Sequence, residues 1–488
     1  MSAVSPAVGS RRSGSEPALV GCLVLVVVVV GLISSLGAPL VPEIAADRGV
    51  SVRSAQWSVT VAMLVGAVAA PVLGRLGDGP HRRRVVLAAL AVVTTGCLLA
   101  AVPLGFAGLL AGRAMQGVGV GMMPLGIAIA RDHLQPLRAA PAVPLLSVTT
   151  VAGAGLGYPV SGALAELGGV EASFAFGAAV AGAALLLAVL VLPPGGHLSP
   201  VPFDLPGAVL LAVALTSVLT AVSEAAAWGW GSPAVLGLLG VAGCSAVLWT
   251  RHELHRPQPL VQLRLLRHRE VLLADLTGLA AGVGVYLLLS AATRLLRTPR
   301  DEPDGLAASV FVTASAMVPF AVVSLATAQL APRLLRGRDA ALLLPVGCVL
   351  FGAAMGLFLT ARHDVALVFA TMALAGLGAG CTFAAMPGLI VRAVPPSEVG
   401  SAVGFNQVAR TIGYATGSAL SAALLSAYGG SADGFPAAAG YDAAAVTGLV
   451  VVLGAAAASV VPRRRPPTRS AAAPDTDDAP TGAAHPLP

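Results

Sequence analysis

The chain has 488 residues, of which 56% are hydrophobic and only 11% charged, with a formal net charge of +6. Soluble domains carry about 25% charged residues, so this composition cannot cover a water-facing surface and predicts a multi-pass membrane protein. Every one of the 29 basic residues is arginine. Without lysine, a P-loop ATPase and Schiff-base chemistry are excluded.

A spanning helix needs about 20 mostly apolar residues. Fourteen such stretches follow one another: 17–41, 55–75, 84–104, 106–130, 141–164, 171–193, 206–226, 232–250, 271–292, 305–331, 340–361, 364–390, 400–428 and 441–461. The expected fold class is therefore all-α and polytopic. The ends, 1–16 and the Pro-, Ala-, Thr- and Asp-rich 462–488, read as tails with too little apolar content to fold. Cys22, Cys97, Cys244, Cys348 and Cys381 lie in or beside apolar runs at no motif spacing and read as buried free thiols.

The distribution of arginine tests the count. With the N-terminus placed in the cytoplasm, the inside segments hold 21 arginines and the outside segments 6, with Arg113 and Arg410 left within helices. That alternation obeys the positive-inside rule and predicts a cytoplasmic-membrane protein with both termini cytoplasmic. Trp57, Trp228 and Trp230 fall at the expected outer interface and Trp249 at the inner one.

An internal repeat is visible. "GRLGDGPHRRR" (74–84) aligns with "AQLAPRLLRGR" (328–338), "GVGVG" (117–121) with "GLGAG" (376–380), and Gly157-Tyr158 with Gly413-Tyr414, all at nearly one offset. Two homologous six-helix halves are expected, 17–193 and 271–461. Two further helices and a cytoplasmic loop, 194–270, lie between them. Parallel repeats of this kind bind substrate near the midplane at their interface.

These residues resemble the major facilitator superfamily, specifically its fourteen-helix drug:proton antiporter branch, over roughly 17–461. "GRLGDGPHRRR" is similar to the signature loop between the second and third helices, with Gly74, Leu76, Asp78 and the arginines matching, and Gly79 and His81 departing. "LLAGRAMQGVGVG" (109–121) resembles the fourth-helix motif through Arg113, Gln116, Gly117, Gly119 and Gly121. "GAGLGYPVSG" (153–162) resembles the fifth-helix antiporter motif through Gly153, Gly157, Pro159 and Gly162. "AQWSVTVAML" (55–64) and "WGWGSP" (228–233) are also similar to that branch. The branch usually carries an aspartate and an asparagine in its first helix. Here Ile33 and Ala38 stand in those places, which puts proton coupling through that site in doubt.

The resemblance implies the major facilitator fold and secondary active transport by alternating access. Its default cargo is small, apolar, drug-like molecules exported against protons. It also implies that Asp78 closes a charge contact between helices in the outward-open state. Arg113, about 10–12 Å deep in its helix at 1.5 Å per residue, and Asp275 in "VLLADLTGLAAG" are with Asp78 the proton-coupling or gating candidates; a charge at such depth normally faces a cavity or a partner. Gln116, Asn406, Gln407 and Arg410 are the candidate cavity residues, with a helix-packing network as the other reading. Gly74, Gly117, Gly121, Gly153, Gly157, Gly162, Gly413, Gly417 and Pro159 are expected to serve close helix approach and bending. Glu224 reads as a water-facing rim residue.

No cofactor and no metal are expected; His252 and His255 in "RHELH" (251–255) are one residue short of the metalloprotease spacing. The expected partners are a small-molecule substrate, protons and membrane lipids, without nucleic acid, and the chain is expected to act as a monomer. A uniporter or proton symporter of a metabolite is the alternative, and a non-transporting membrane sensor a more distant one. Membrane enzymes are disfavoured because no catalytic constellation gathers at one membrane face.

Overall fold

The computed structural model describes residues 15–193, 202–302, 304–334, 340–428 and 436–460. The expected tails, most of the segment joining the sixth and seventh predicted spans, Arg336 and Arg338 lie largely or wholly outside those residues. The helices in chain order are α1 (Ser15–Ser35), α2 (Val41–Arg48), α3 (Val52–Gly77), α4 (Arg82–Ala101), α5 (Gly105–Gly117) and α6 (Met122–His133). They continue with α7 (Pro136–Val191), α8 (Leu205–Trp228), α9 (Pro233–His255), α10 (Arg269–Arg297), α11 (Val310–Ser315) and α12 (Met317–Leu334). The last four are α13 (Leu343–Thr360), α14 (Val365–Ala393), α15 (Val399–Ala427) and α16 (Ala438–Val460).

Among the described residues, eleven helical runs are long and apolar enough to cross a membrane, α11 and α12 counting as one. One of them is two crossings in a single run: α7 turns back at Gly168-Gly169, where Gly169 holds φ +71°, a conformation that costs a residue with a Cβ far more. The interrupted α5–α6 pair and the more polar α15 are further crossings of similar length, which brings the number to the fourteen expected.

Three predicted spans are not continuous helices. The first ends at Ser35 instead of residue 41, because Pro39 and Pro42 disfavour helix in the residues before them. The chain turns there and restarts as α2, which closes on Gly49 at φ +62°. The fourth is split by a 3-10 turn at Val118–Gly121, within the glycine run. The tenth begins as helix only at Val310, where the Ser309 hydroxyl accepts from the Val312 amide at 3.2 Å, and is interrupted at Ala316. One side-chain expectation also changes. Cys244 is exposed on α9, which packs chiefly on α8. Trp249 is buried, stacked on Phe405 with centroids 6.2 Å apart, because α9 turns that face toward α15.

The same packing occurs twice. α1 and α4 lie on α7, and α3 lies on α5 and α6. In the second half α10 lies on α15, α13 on α14 and α16, and α12 on α14. The two glycine runs make equivalent contacts. A Cβ at Gly117 would meet the Ala62 carbonyl and one at Gly121 the Ala69 carbonyl, both on α3. One at Gly376 would meet Phe320 and one at Gly380 Ser324, both on α12. Helices without a driving force from water associate through such close backbone approach. The halves meet where α3 crosses α15 and where α7 crosses α12. The α8–α9 pair covers the α3–α15 crossing with Leu211, Leu215, Leu219 and Trp249.

Gly153 and Gly157 press on Val28 and Leu32 of α1, and Gly413 and Gly417 on Leu279 and Val283 of α10. Gly162 differs from the expectation: a Cβ there would meet nothing within 4 Å, because it borders a small cavity of about 180 Å³ together with Pro159. The expected packing role therefore does not hold at Gly162. Gly153→Ala should cost about 1–3 kcal/mol by overpacking against the Val28 backbone, read as a lowered unfolding midpoint in detergent. Gly162→Ala should leave the midpoint unchanged.

Candidate functional site

At one end of the bundle the loop after α3 clamps the two halves. Gly74 and Gly400 face each other so closely that a Cβ on either would strike the other's carbonyl oxygen. This brings the N-terminus of α15 against Asp78. The Asp78 carboxylate, 1% exposed, accepts from the Gly400 amide at 2.8 Å and the Ser401 amide at 3.0 Å. Those amides have no intrahelical acceptor, and the positive end of the helix dipole favours an anion there. Beside it, buried Arg75 pairs across the halves with Glu398 at 3.2 Å. Arg82, also buried, binds the Ala128 carbonyl at 3.1 Å, the Gly77 carbonyl and Asp132. Two of the loop's four arginines are thus internal ties instead of solvated charges.

Arg113 on α5 is completely buried. It donates from Nε to the Ser58 carbonyl at 3.0 Å and from Nη1 to the Ile33 carbonyl at 3.2 Å. Nη1 also donates to Gln116 Oε1 at 2.6 Å, and Nη2 to the Ser34 carbonyl at 3.1 Å. The Ile33 and Ser34 carbonyls belong to the last turn of α1, where carbonyls lack intrahelical donors and a cation is favoured. Arg113 therefore ends α1 and ties it to α3, while Gln116 reaches the Gly96 carbonyl of α4 at 3.3 Å. No carboxylate pairs with Arg113 among the described residues.

In the other half, Asp275 on α10 accepts from Asn406 Nδ2 at 3.0 Å, and the same Nδ2 lies 3.0 Å from the Ala274 carbonyl. One turn along α15, Arg410 lies over the Phe383 ring, its Cζ 4.0 Å from the centroid, and donates to the Tyr414 hydroxyl at 3.1 Å. Asp275 Oδ2, Asn406 Oδ1, Gln407 Oε1 and Arg410 Nε and Nη1 are buried without a protein partner. Buried polar groups are rarely left so, and here five cluster along one α10–α15 seam.

A cavity of about 850 Å³ opens at the opposite end from Asp78. Both halves wall it, with Tyr158 of α7, Tyr286 of α10 and Tyr414 of α15 among its lining residues, and with Glu43, Arg294 and Arg297 at the exposed rim. Gln116, Asn406, Gln407 and Arg410, expected on the cavity wall, are not among its lining residues. They sit nearer the Asp78 end, and Tyr414 stands between Arg410 and the open volume. His252, at the end of α9, lies 2.9 Å from Asp204, and no cluster able to hold a metal ion occurs among the described residues.

The Major Facilitator Superfamily profile matches residues 23–355 and 339–485. The chain belongs to the major facilitator superfamily. Among its relatives, a multidrug resistance protein B homolog of Mycobacterium tuberculosis is 27% identical over 78% of this chain and 71% of its own. A probable actinorhodin transporter of Streptomyces coelicolor is 27% identical over 78% of this chain and 67% of its own. The crystal structure of the human organic anion transporter MFSD10 (TETRAN) superposes with a TM-score of 0.65 at 16% identity. It covers 91% of this chain and 99% of that one, a likeness of fold.

For a transporter of the major facilitator superfamily, the sequence reading missed several site residues. Glu224, expected at a water-facing rim, is 9% exposed, lines the cavity and pairs with Arg53 at 3.1 Å, because α8 leans on α3. Glu398 and Asp132, the acids that hold Arg75 and Arg82, stand in no motif. The three tyrosines were findable in principle, since the chain holds only five.

Burial pushes the Asp78 carboxyl from 3.8 up to about 7. Glu398 adds to the rise, and the two amides and Arg82 oppose it without prevailing. An acid raised in the closed clamp takes up a proton on closing. Closure is therefore favoured at low pH and weakens as the pH climbs from about 4 through about 7. Spin labels at Arg84→Cys and Ser397→Cys should move apart between about pH 5 and about pH 8, and Asp78→Asn should remove that pH dependence.

Proposed function

We propose that this chain exports small, apolar or drug-like molecules in exchange for protons, by alternating access between its two halves. One observation carries the reading: a cavity walled by both halves opens at one end, while the Gly74–Gly400 crossing and the Asp78 clamp shut the other. That is the geometry of one extreme of a rocking cycle. The names of the relatives, a multidrug resistance protein and a probable actinorhodin transporter, favour export of such molecules. Arginine bias assigns the clamped end and both termini to the cytoplasm of a cytoplasmic-membrane protein; the cavity then faces outward.

In this reading Asp78 and Gly74 gate the cytoplasmic side. Arg113 and Gln116 hold the break in α1 and act on the first half as a rigid unit. The glycines at 117, 121, 153, 157, 413 and 417 let the helices of each half move as one body. Asp275 carries the proton. It is a buried acid with one oxygen unpartnered, on the helix that also lines the cavity, and it stands in for the carboxylate absent from α1. Substrate and protons are the only partners the cycle needs.

Reconstituted into liposomes, the protein should move a fluorescent substrate faster when a proton gradient is imposed. An unchanged rate after collapse of the gradient would falsify proton antiport and favour a uniporter. Asp275→Asn should lower gradient-driven export to the rate of the collapsed gradient while equilibrium binding of the substrate persists. Gradient-driven export at the full rate in that variant would remove Asp275 from the cycle.

A further inference from the structure

Where α10 packs on α15, a line of polar side chains runs through an otherwise apolar contact. Asp275 is 6% exposed, and Asn406 and Arg410 are at 1% or less. Gly278, one turn along α10 from Asp275, marks where they meet. A Cβ there would stand 3.2 Å from Asn406 Nδ2, 3.2 Å from Arg410 Cγ and 3.6 Å from Met386 Sδ. Asn406 and Arg410 therefore flank one point, and α14 closes it from the side. Met386 and Phe383 of α14 are fully buried, and the Phe383 ring lies under the Arg410 guanidinium with its centroid 4.0 Å from Cζ.

The bonds already made fix which atoms are spare. Asn406 Nδ2 lies 3.0 Å from both the Ala274 carbonyl and Asp275 Oδ1. Both are acceptors, so the amide nitrogen faces them and Oδ1 points away. Asn406 Oδ1 and Asp275 Oδ2 are buried without a protein partner. Arg410 donates from Nη2 to the Tyr414 hydroxyl at 3.1 Å, and its Nε and Nη1 are unpartnered. The seam thus has two spare acceptors and two spare donor nitrogens. A metal cation would serve only the acceptors and stand against the guanidinium. An anion would serve only the donors and stand against the carboxylate. Water serves both kinds, and a buried water typically makes about three hydrogen bonds to such groups.

We propose that buried water threads the seam from Tyr414 to Asp275, held by Asn406 and Arg410, and carries protons between the cavity and Asp275 Oδ2. This rests on Asp275 as the proton carrier and adds the route by which it is loaded. Asp275 does not line the cavity, whereas Tyr414 does. The Tyr414 hydroxyl accepts from Arg410 and keeps its own proton to donate, so it is the outlet of the thread. A proton entering there passes from water to water and binds Oδ2, turning the carboxylate into the neutral acid; it leaves by the reverse steps. Arg410 stays protonated throughout and acts by ordering the water. Asn406 acts by holding Oδ1, which leaves Oδ2 to the thread. Both are positioning residues.

Hydroxyl-radical labelling by X-ray radiolysis of the full-length protein, read by mass spectrometry, tests for the water. Radicals formed from buried water oxidise the side chains beside it. Met386 and Phe383 should be labelled, while Met355 and Phe358, as fully buried but in the apolar core on α13, should not. Asn406→Leu should bring Met386 and Phe383 down to the level of Met355 and Phe358. Asn406→Ser, which keeps a polar group, should retain the labelling and controls for folding. The route is tested by infrared spectroscopy at acid pH, with the Asp275 carboxyl band identified by its loss in Asp275→Asn. On transfer to heavy water that band should shift at once in the wild type and in Asn406→Ser, and with a delay in Asn406→Leu. Labelling of wild-type Met386 and Phe383 no faster than that of Met355 and Phe358 would overturn the proposal, as would suppression of their labelling by sodium, which would assign the seam to a cation. Exchange in Asn406→Leu as fast as in the wild type would remove the thread from the proton route. Neither readout needs transport, so a failure of proton antiport in liposomes is a separate result.

Discussion

The rest of the structure depends on a contact between two backbones. Where α3 crosses α15, Gly74 and Gly400 present no side chains, and the helices approach until carbonyl oxygen meets Cα. That approach sets the N-terminus of α15 on the Asp78 carboxylate and places Glu398 within reach of Arg75. The clamp is made of amides without helix partners and a desolvated acid, so it is strong only at contact distance and falls away once the helices part. With this end shut, the diverging helices open a cavity at the other. Cavity and clamp are two consequences of one crossing.

The two buried arginines illustrate how like residues do different work in the two halves. Arg113 has its donors spread over three backbone carbonyls and Gln116, and it stabilises an interrupted helix. Arg410 lies over a phenyl ring with two donors unpartnered. The first is a completed network, rigid because every alternative leaves a buried group unsatisfied. The second is an incomplete one next to the cavity, with Asp275 and Asn406 in the same state. The Arg113 network, in the half that lacks an acid in α1, is complete, and the Asp275–Arg410 seam of the other half keeps hydrogen-bonding capacity in reserve.

Much of this was legible from the chain alone. Runs of about 20 apolar residues and the alternation of arginine gave the number of crossings, because bilayer thickness and topology act on local composition. The glycine runs at 117–121 and 376–380 marked helix contacts, and the structure finds backbone against them. Polar residues deep in helices stood out in the chain, but their neighbours were not foreseen. Gln116, Asn406, Gln407 and Arg410 were expected on the cavity wall and lie off it. Glu224 was expected at a water-facing rim and lies in the wall. Depth along a helix follows from counting residues; the direction a side chain faces depends on how the helix is rotated against its neighbours.

The sequence by itself determined the class, the crossings, the repeat and the family, since hydropathy, charge bias and motif spacing are properties of contiguous residues. Tertiary structure alone decided which end is shut, which acids hold Arg75 and Arg82, and that three tyrosines from positions 158, 286 and 414 face one volume. Those facts join residues fifty to more than three hundred positions apart. In a membrane, where helices associate by shape more than by hydrophobic pattern, no local periodicity records which distant faces meet.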